Sequence, residues 1–151
     1  MATSDGCIFC RIAAGAVPAH EVWRDEDILA FLDIAPIREG HVQIIPLAHH
    51  DSFDVLPEDT AQAILRLGQR IARVQKRLLG VPRVGFMFTG GDVAHAHAHL
   101  VPMWEKTDIT SPAYIAETPL TFRPAAQKPA AELAEMAARL SEALKAAAQP
   151  A

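Results

Sequence analysis

His95-Ala96-His97-Ala98-His99-Leu100-Val101-Pro102 is the stretch on which the reading of this chain turns. On an extended strand side chains alternate faces, so residues two apart recur on one side about 6.5–7 Å from each other. The alternation predicts a strand over Val93 to Pro102, with three imidazoles on one face and Ala96, Ala98 and Leu100 on the other. A helix would scatter the same rings by about 200° per two-residue step. Two chemistries use such a row. Two or three neutral imidazoles can ligate one metal. Alternatively, one ring attacks phosphorus while a fixed acceptor holds the proton of its other nitrogen and its neighbours orient it. The spacing alone does not choose between them.

Outward from this run, Thr89-Gly90-Gly91-Asp92 is a turn signal and Val84 to Phe88 reads as the preceding strand. Before that, Pro57 to Gly80 has the clearest period in the chain. Ala61, Ile64, Leu65, Ile71, Ala72, Leu78 and Leu79 share one helical face, and a basic, solvated face lies opposite. Pro57, Glu58 and Asp59 suit the start of that helix and Gly80 its end. Glu21–Arg24 and Ile28–Asp33 flank the acidic turn 25–27 as a hairpin, and Gly40–Pro46 is a β-branched third strand. Cys7 to Ala13 is a short helix stopped by Gly15 and Pro18. Residues 105–128 have no period and read as loop. Pro129 to Ala148 carries a stripe of Leu133, Met136, Leu140 and Leu144, a terminal helix packed on the body or on a partner. Hairpins dominate and βαβ alternation is absent, so the class is α+β with an antiparallel meander sheet.

The 151 residues are the size of one domain, read here as a single unit with a motif-bearing core over about 5–103. Fourteen Lys and Arg against eighteen Asp and Glu leave a net charge of −4, which gives no electrostatic footprint for duplex nucleic acid. No run approaches the ~18 apolar residues that span a bilayer, and residues 1–10 do not resemble a signal peptide, so a soluble cytoplasmic protein is expected. The two cysteines, Cys7 and Cys10, form a C-x-x-C pair that suits a metal half-site or a redox couple. With His49 or His50 and one histidine of the row they would complete a Cys₂His₂ zinc site.

These residues resemble the histidine triad (HIT) superfamily of nucleotide-binding hydrolases and transferases, its zinc-bearing branch in particular. Four landmarks carry the resemblance in order: Cys7-Ile8-Phe9-Cys10, Phe31-Leu32-Asp33-Ile34, Gly40-His41 with Ile45-Pro46 and His49, and the triad itself. The resemblance implies a homodimer with the long helix across the sheet. It implies that His97 attacks the α-phosphorus of a purine nucleotide phosphoramidate, ester or dinucleoside polyphosphate, giving a nucleotidyl-histidine that water hydrolyses. A strand carbonyl would fix the proton of His97, and His99 would hold the phosphate. Asp33 would accept from the ribose hydroxyls, although it could equally cap a turn before Pro36. Ile8, Phe9, Ile12, Phe31 and Ile34 would form the base cleft, unless they are ordinary core. Cys7, Cys10, His49 and His95 would hold a structural zinc. Many members carry a glutamine four residues before the triad and a serine or threonine three before it; Gly91 and Asp92 stand there in this chain, so Asp92 would face the phosphate. His41 reads as a structural hydrogen-bonding histidine, and His20 and His50 as surface residues. Two rivals remain: a nucleotide- or partner-binding module with weak catalysis, and a zinc enzyme using all three histidines as ligands.

Overall fold

The computed structural model describes residues 6–105, 108–109 and 126–148. Much of the expected loop over 105–128 lies outside them. Helix α1 (Ile8–Ala13) leads into strands β1 (Glu21–Arg24), β2 (Ile28–Leu32) and β3 (Val42–Pro46). Helix α2 (Glu58–Leu79), strands β4 (Arg83–Phe88) and β5 (Ala98–Met103), and helix α3 (Ala130–Ala148) follow. The sheet is antiparallel throughout, in the order β1-β2-β3-β5-β4. The first three strands meander; the excursion through α2 then delivers β4 to the outer edge, and β5 returns between β3 and β4. This is the α+β architecture anticipated from the hairpin pattern.

One sheet face packs on α2 and α3. Ile28, Ala30, Val42, Ile44, Ala98 and Leu100 meet Ile64, Leu67, Ile71 and Val74 of α2 and the whole α3 stripe of Leu133, Met136, Leu140 and Leu144. The terminal helix therefore belongs to the body. A smaller apolar cluster on the opposite face joins Phe9 and Ile12 of α1 to Leu29, Phe31 and Ile45. Two details of α2 differ from its expected face. Leu65 is 51% exposed, because the buried stripe is centred one position further round, on Ile64, Leu67, Gly68 and Ile71. Gln75 is fully buried in that stripe and donates from Nε2 to the Gly40 carbonyl at 2.8 Å, which ties the helix to the start of β3.

Gly40 combines two constraints. Its φ is +80°, and a Cβ there would lie 2.7 Å from Leu79 Cδ1. Gly80 has a similar φ of +66° as the left-handed cap of α2, with open space around it. Gly80→Ala should therefore cost the backbone strain alone, about 1 kcal/mol, and Gly40→Ala about 2–3 kcal/mol because Leu79 must also shift. Urea unfolding of the two variants measures the difference, and equal losses would remove the steric part of the argument.

Candidate functional site

Strand β5 begins later than the histidine pattern predicts. The strand expected over Val93–Pro102 runs from Ala98, and His95 and His97 lie in its non-ladder approach. The reason is local hydrogen bonding. The His95 amide donates to the Val93 carbonyl (2.8 Å) and the Ala96 amide to the His50 carbonyl (2.6 Å), so these amides are not free to pair with β3 or β4. The three rings nonetheless gather on one side. Phe9 of α1 meets His95 and His97 edge-on at centroid distances of 5.9 and 5.1 Å, and His97 meets His99 at 4.9 Å.

Each ring faces different partners. His95 Nε2–H donates to the Pro46 carbonyl at 2.9 Å, leaving Nδ1 bare at 3.5 Å from both Cys7 Sγ and Cys10 Sγ. His49 Nε2–H donates to Asp51 Oδ1 at 2.8 Å, and its Nδ1 lies 3.2 Å from Cys10 Sγ. Two thiols and two imidazole lone pairs thus converge, all four donor atoms within 4.8 Å of one another. Tetrahedral zinc with bonds of about 2.0–2.3 Å needs donors roughly 3.3–3.8 Å apart, and both imidazoles have the outer hydrogen bond that fixes a metal-binding tautomer. Burial, the hydrogen bond to Cys7 and the charge of Cys7 push the Cys10 thiol up to about 11, so two thiolates here call for a dication. The donor set fits zinc, with His49 rather than His50 as its histidine. Nothing in the sequence marks Asp51 beyond its place two residues after His49.

His97 Nδ1–H donates to the His95 carbonyl at 2.7 Å, which leaves Nε2 with its lone pair. Although only 5% exposed, His97 lines a cleft of about 200 Å³ with Thr89, Gly90, Phe53 and Phe88. His99 Nδ1 lies 2.9 Å from His41 Nε2 and its own Nε2 lies 3.3 Å from Thr89 Oγ1. The three triad histidines are therefore not one ligand set: His95 alone turns a nitrogen to the thiols. Asp33 does cap its turn, since Oδ1 accepts from the Ala35 amide at 2.8 Å. Its Oδ2 accepts from Gln43 Nε2 at 2.6 Å, and Gln43 was visible only as the one polar residue of β3. Among the apolar residues expected to line a base cleft, Phe9, Ile12 and Phe31 are buried in the small cluster, whereas Ile8 (38%) and Ile34 (53%) are exposed. Asp92 is exposed on the turn, and its charge reaches His99.

Burial, then the neighbouring His41 and His97, push His99 down to about 4, outweighing the carboxylates of Asp33 and Asp92. Burial also lowers His41. A histidine whose folded pKa is depressed leaves stability intact above its unfolded value of about 6.5 and removes it as pH falls, because the unfolded chain takes the proton first. Between pH 6.5 and 4, His99 should remove about 3 kcal/mol. His99→Asn should flatten this decline when urea stabilities at pH 7 and pH 5 are compared; identical slopes in variant and wild type would refute it.

Residues 14–106 match the HIT domain model. The chain belongs to the HIT family. It is 35% identical over 103 residues to an uncharacterised HIT-like protein of Methanocaldococcus jannaschii, covering 66% of this chain and 80% of that one. The fold superposes on a zinc-bound histidine triad family protein from Mycobacterium smegmatis with a TM-score of 0.74 and 29% identity, over 96% and 97% of the two chains. A HIT family hydrolase from Legionella pneumophila gives a TM-score of 0.54 and 32% identity, over 64% of this chain and 91% of that one.

Proposed function

We propose that this HIT protein is a nucleotidyl hydrolase or transferase that forms a covalent intermediate on His97 with a purine nucleotide. One observation carries the reading: the His97 Nδ1 proton is held by the His95 carbonyl, so the Nε2 lone pair is free beside a cleft. Nε2 attacks the α-phosphorus, and the bond from phosphorus to the leaving group breaks with its electron pair going to that group. An amine leaving group takes its proton from solvent. The charge that develops on the nucleotidyl-imidazolium is stabilised at Nδ1–H by the His95 carbonyl. Water then attacks phosphorus, the N–P pair returns to Nε2, and the water proton leaves to solvent. The Legionella relative, a HIT family hydrolase, supports the reaction class.

In this reading His99 orients the phosphate and Asp33, with a second lone pair free on each oxygen, accepts from the ribose hydroxyls. Ile8, Phe9, Ile12, Phe31 and Ile34 enclose the base. Cys7, Cys10, His49 and His95 hold zinc, which supplies structural rigidity rather than an activated water because all four positions are filled by protein. The zinc-bound mycobacterial relative supports that assignment. A cytoplasmic location suits a site that needs two reduced thiols. A homodimer is supported by the sheet edge at β4 and the exposed apolar Phe86 on that strand. No helix among the described residues is long and apolar enough to cross a membrane. The exposed Asp92 carboxylate favours one second reading, a nucleotide-binding module that turns over slowly.

The test is a mass spectrum of protein quenched rapidly after mixing with adenosine phosphoramidate or a dinucleoside polyphosphate. One nucleotidyl group should appear on the peptide that holds residues 95–99. AMP bound tightly with no adduct and no turnover would favour the binding module.

A further inference from the structure

Ile8 and Phe9, the two residues between the cysteines, are both assigned to the base cleft, so a change at the thiols is felt there. Phe9 is well packed: it is 7% exposed and meets Phe31 at a centroid distance of 5.8 Å as well as His95 and His97. The Arg11 amide donates to the Cys7 carbonyl at 3.1 Å and closes the first turn of α1 around these residues. A helical turn sets Cα atoms three residues apart at about 5 Å, inside the ~4.4–6.8 Å that a disulfide spans. The two Sγ atoms already converge, each 3.5 Å from His95 Nδ1. They belong to the two cysteines of the chain, both free, so a disulfide within the chain has one possible pairing. Cys7 is buried and Cys10 partly exposed, so a small oxidant in solution reaches Cys10 first.

We propose that Cys7 and Cys10 form an oxidant-sensitive dithiol, which hydrogen peroxide converts to a disulfide with release of the metal and loss of nucleotide affinity. The Cys10 sulfur attacks one peroxide oxygen, the O–O bond breaks, and hydroxide leaves with the electron pair, giving a sulfenic acid. The Cys7 sulfur then attacks the Cys10 sulfur, the S–O bond breaks, and a second hydroxide leaves. Two protons from solvent turn both hydroxides to water; the sulfurs lose two electrons and the peroxide gains them. His49 and His95 then remain as two ligands of four, too few to hold zinc. The S–S bond of about 2.05 Å also draws the sulfurs in from the wider spacing of a tetrahedral site, and the turn that carries Phe9 moves with them. Cellular thiols reverse the step, as suits a transient disulfide in a reducing compartment. The metal and cleft consequences rest on the readings above, whereas the disulfide itself does not.

The test titrates the full wild-type chain, loaded with zinc, with hydrogen peroxide and in parallel with diamide, which oxidises thiols and spares methionine. Peptide mapping should find the peptide of Cys7 and Cys10 lighter by two hydrogens, and a chromogenic chelator should record one zinc released per disulfide. AMP affinity should fall about tenfold or more, the worth of one displaced aromatic contact. Dithiothreitol with added zinc should restore all three. A Cys10→Ser chain, kept below its melting point, should show the same AMP affinity before and after oxidant. Sulfinic acids, a disulfide between two chains, or intact thiols in excess oxidant would overturn the dithiol. Zinc retained by the disulfide form, or AMP affinity unchanged in it, defeats the coupling. Loss of amide protection across β2, β3 and β5 together with the affinity means unfolding and sinks the local effect. A purified chain with no zinc to release removes the metal reading alone, since the disulfide and the affinity are still read. A reduced chain that binds AMP but forms no adduct on His97 removes only the covalent reading, and one that binds no AMP ends the cleft half.

Discussion

His97→Ala should lose nucleotidyl transfer by more than about 10⁴-fold, with no adduct on residues 95–99, while AMP still binds. The size follows from the role. A general acid or base supplies about 10²–10⁴-fold, but deletion of a nucleophile removes the reaction path itself. Retained binding follows because the contacts assigned to the base and ribose come from α1, Phe31, Ile34 and Asp33, not from the imidazole. The substitution opens a small void against Phe9, whose ring lies 5.1 Å from that of His97. A melting curve taken beside the kinetics separates that packing loss from the chemical one. His97→Gln fills the void better and should be as inactive. Wild-type turnover in either variant would end the covalent mechanism, and loss of AMP binding would mean that His97 holds the ligand instead.

The triad was legible because a period of two survives even where the ladder does not. His95, His97 and His99 still face one side, although only His99 sits in β5. What the period could not convey is which backbone group, near or remote, each ring meets. The Pro46 carbonyl turns the Nδ1 of His95 to the thiols, the His95 carbonyl frees Nε2 of His97, and the Ile37 amide orients His99 through His41. Carbonyls and amides carry no sequence identity, so such roles appear only once the chain is folded. The strand limits failed at Val93–His97 for the same reason, since the His95 amide is used by a turn and the Ala96 amide by the His50 carbonyl. On α2, periodicity located the helix to within a residue or two but misplaced the buried face by one position. Leu65 was apolar without being inside, and Gln75 was polar yet fully buried because Gly40 offered it a carbonyl. The Cys₂His₂ set was legible in its cysteines and ambiguous between His49 and His50. Asp51 resolves it by holding the ring of His49.

Removal of zinc should cost this fold more than any single core substitution. Structural zinc is worth on the order of 10 kcal/mol or more in small domains, and this site joins α1, the segment after β3 and the approach to β5, alongside the small Phe9 cluster and the bonds of His95 and Ala96 to the Pro46 and His50 carbonyls. One zinc per chain is expected by elemental analysis. Chelation at neutral pH should lower the thermal midpoint by well over 10 °C, at roughly 2–4 °C per kcal/mol for a chain of this size. Cys10→Ser should reproduce the loss without chelator, and His50→Ala should leave both the zinc content and the midpoint near wild type. The consequence for chemistry is specific. His95 would supply Nδ1 to the metal while its carbonyl accepts from His97 Nδ1–H, so zinc would hold the acceptor that fixes the tautomer of His97. Below its melting point the zinc-free protein should form the His97 adduct more slowly but still form it. Complete loss of the adduct from a protein that remains folded would instead assign the metal a direct part in the reaction.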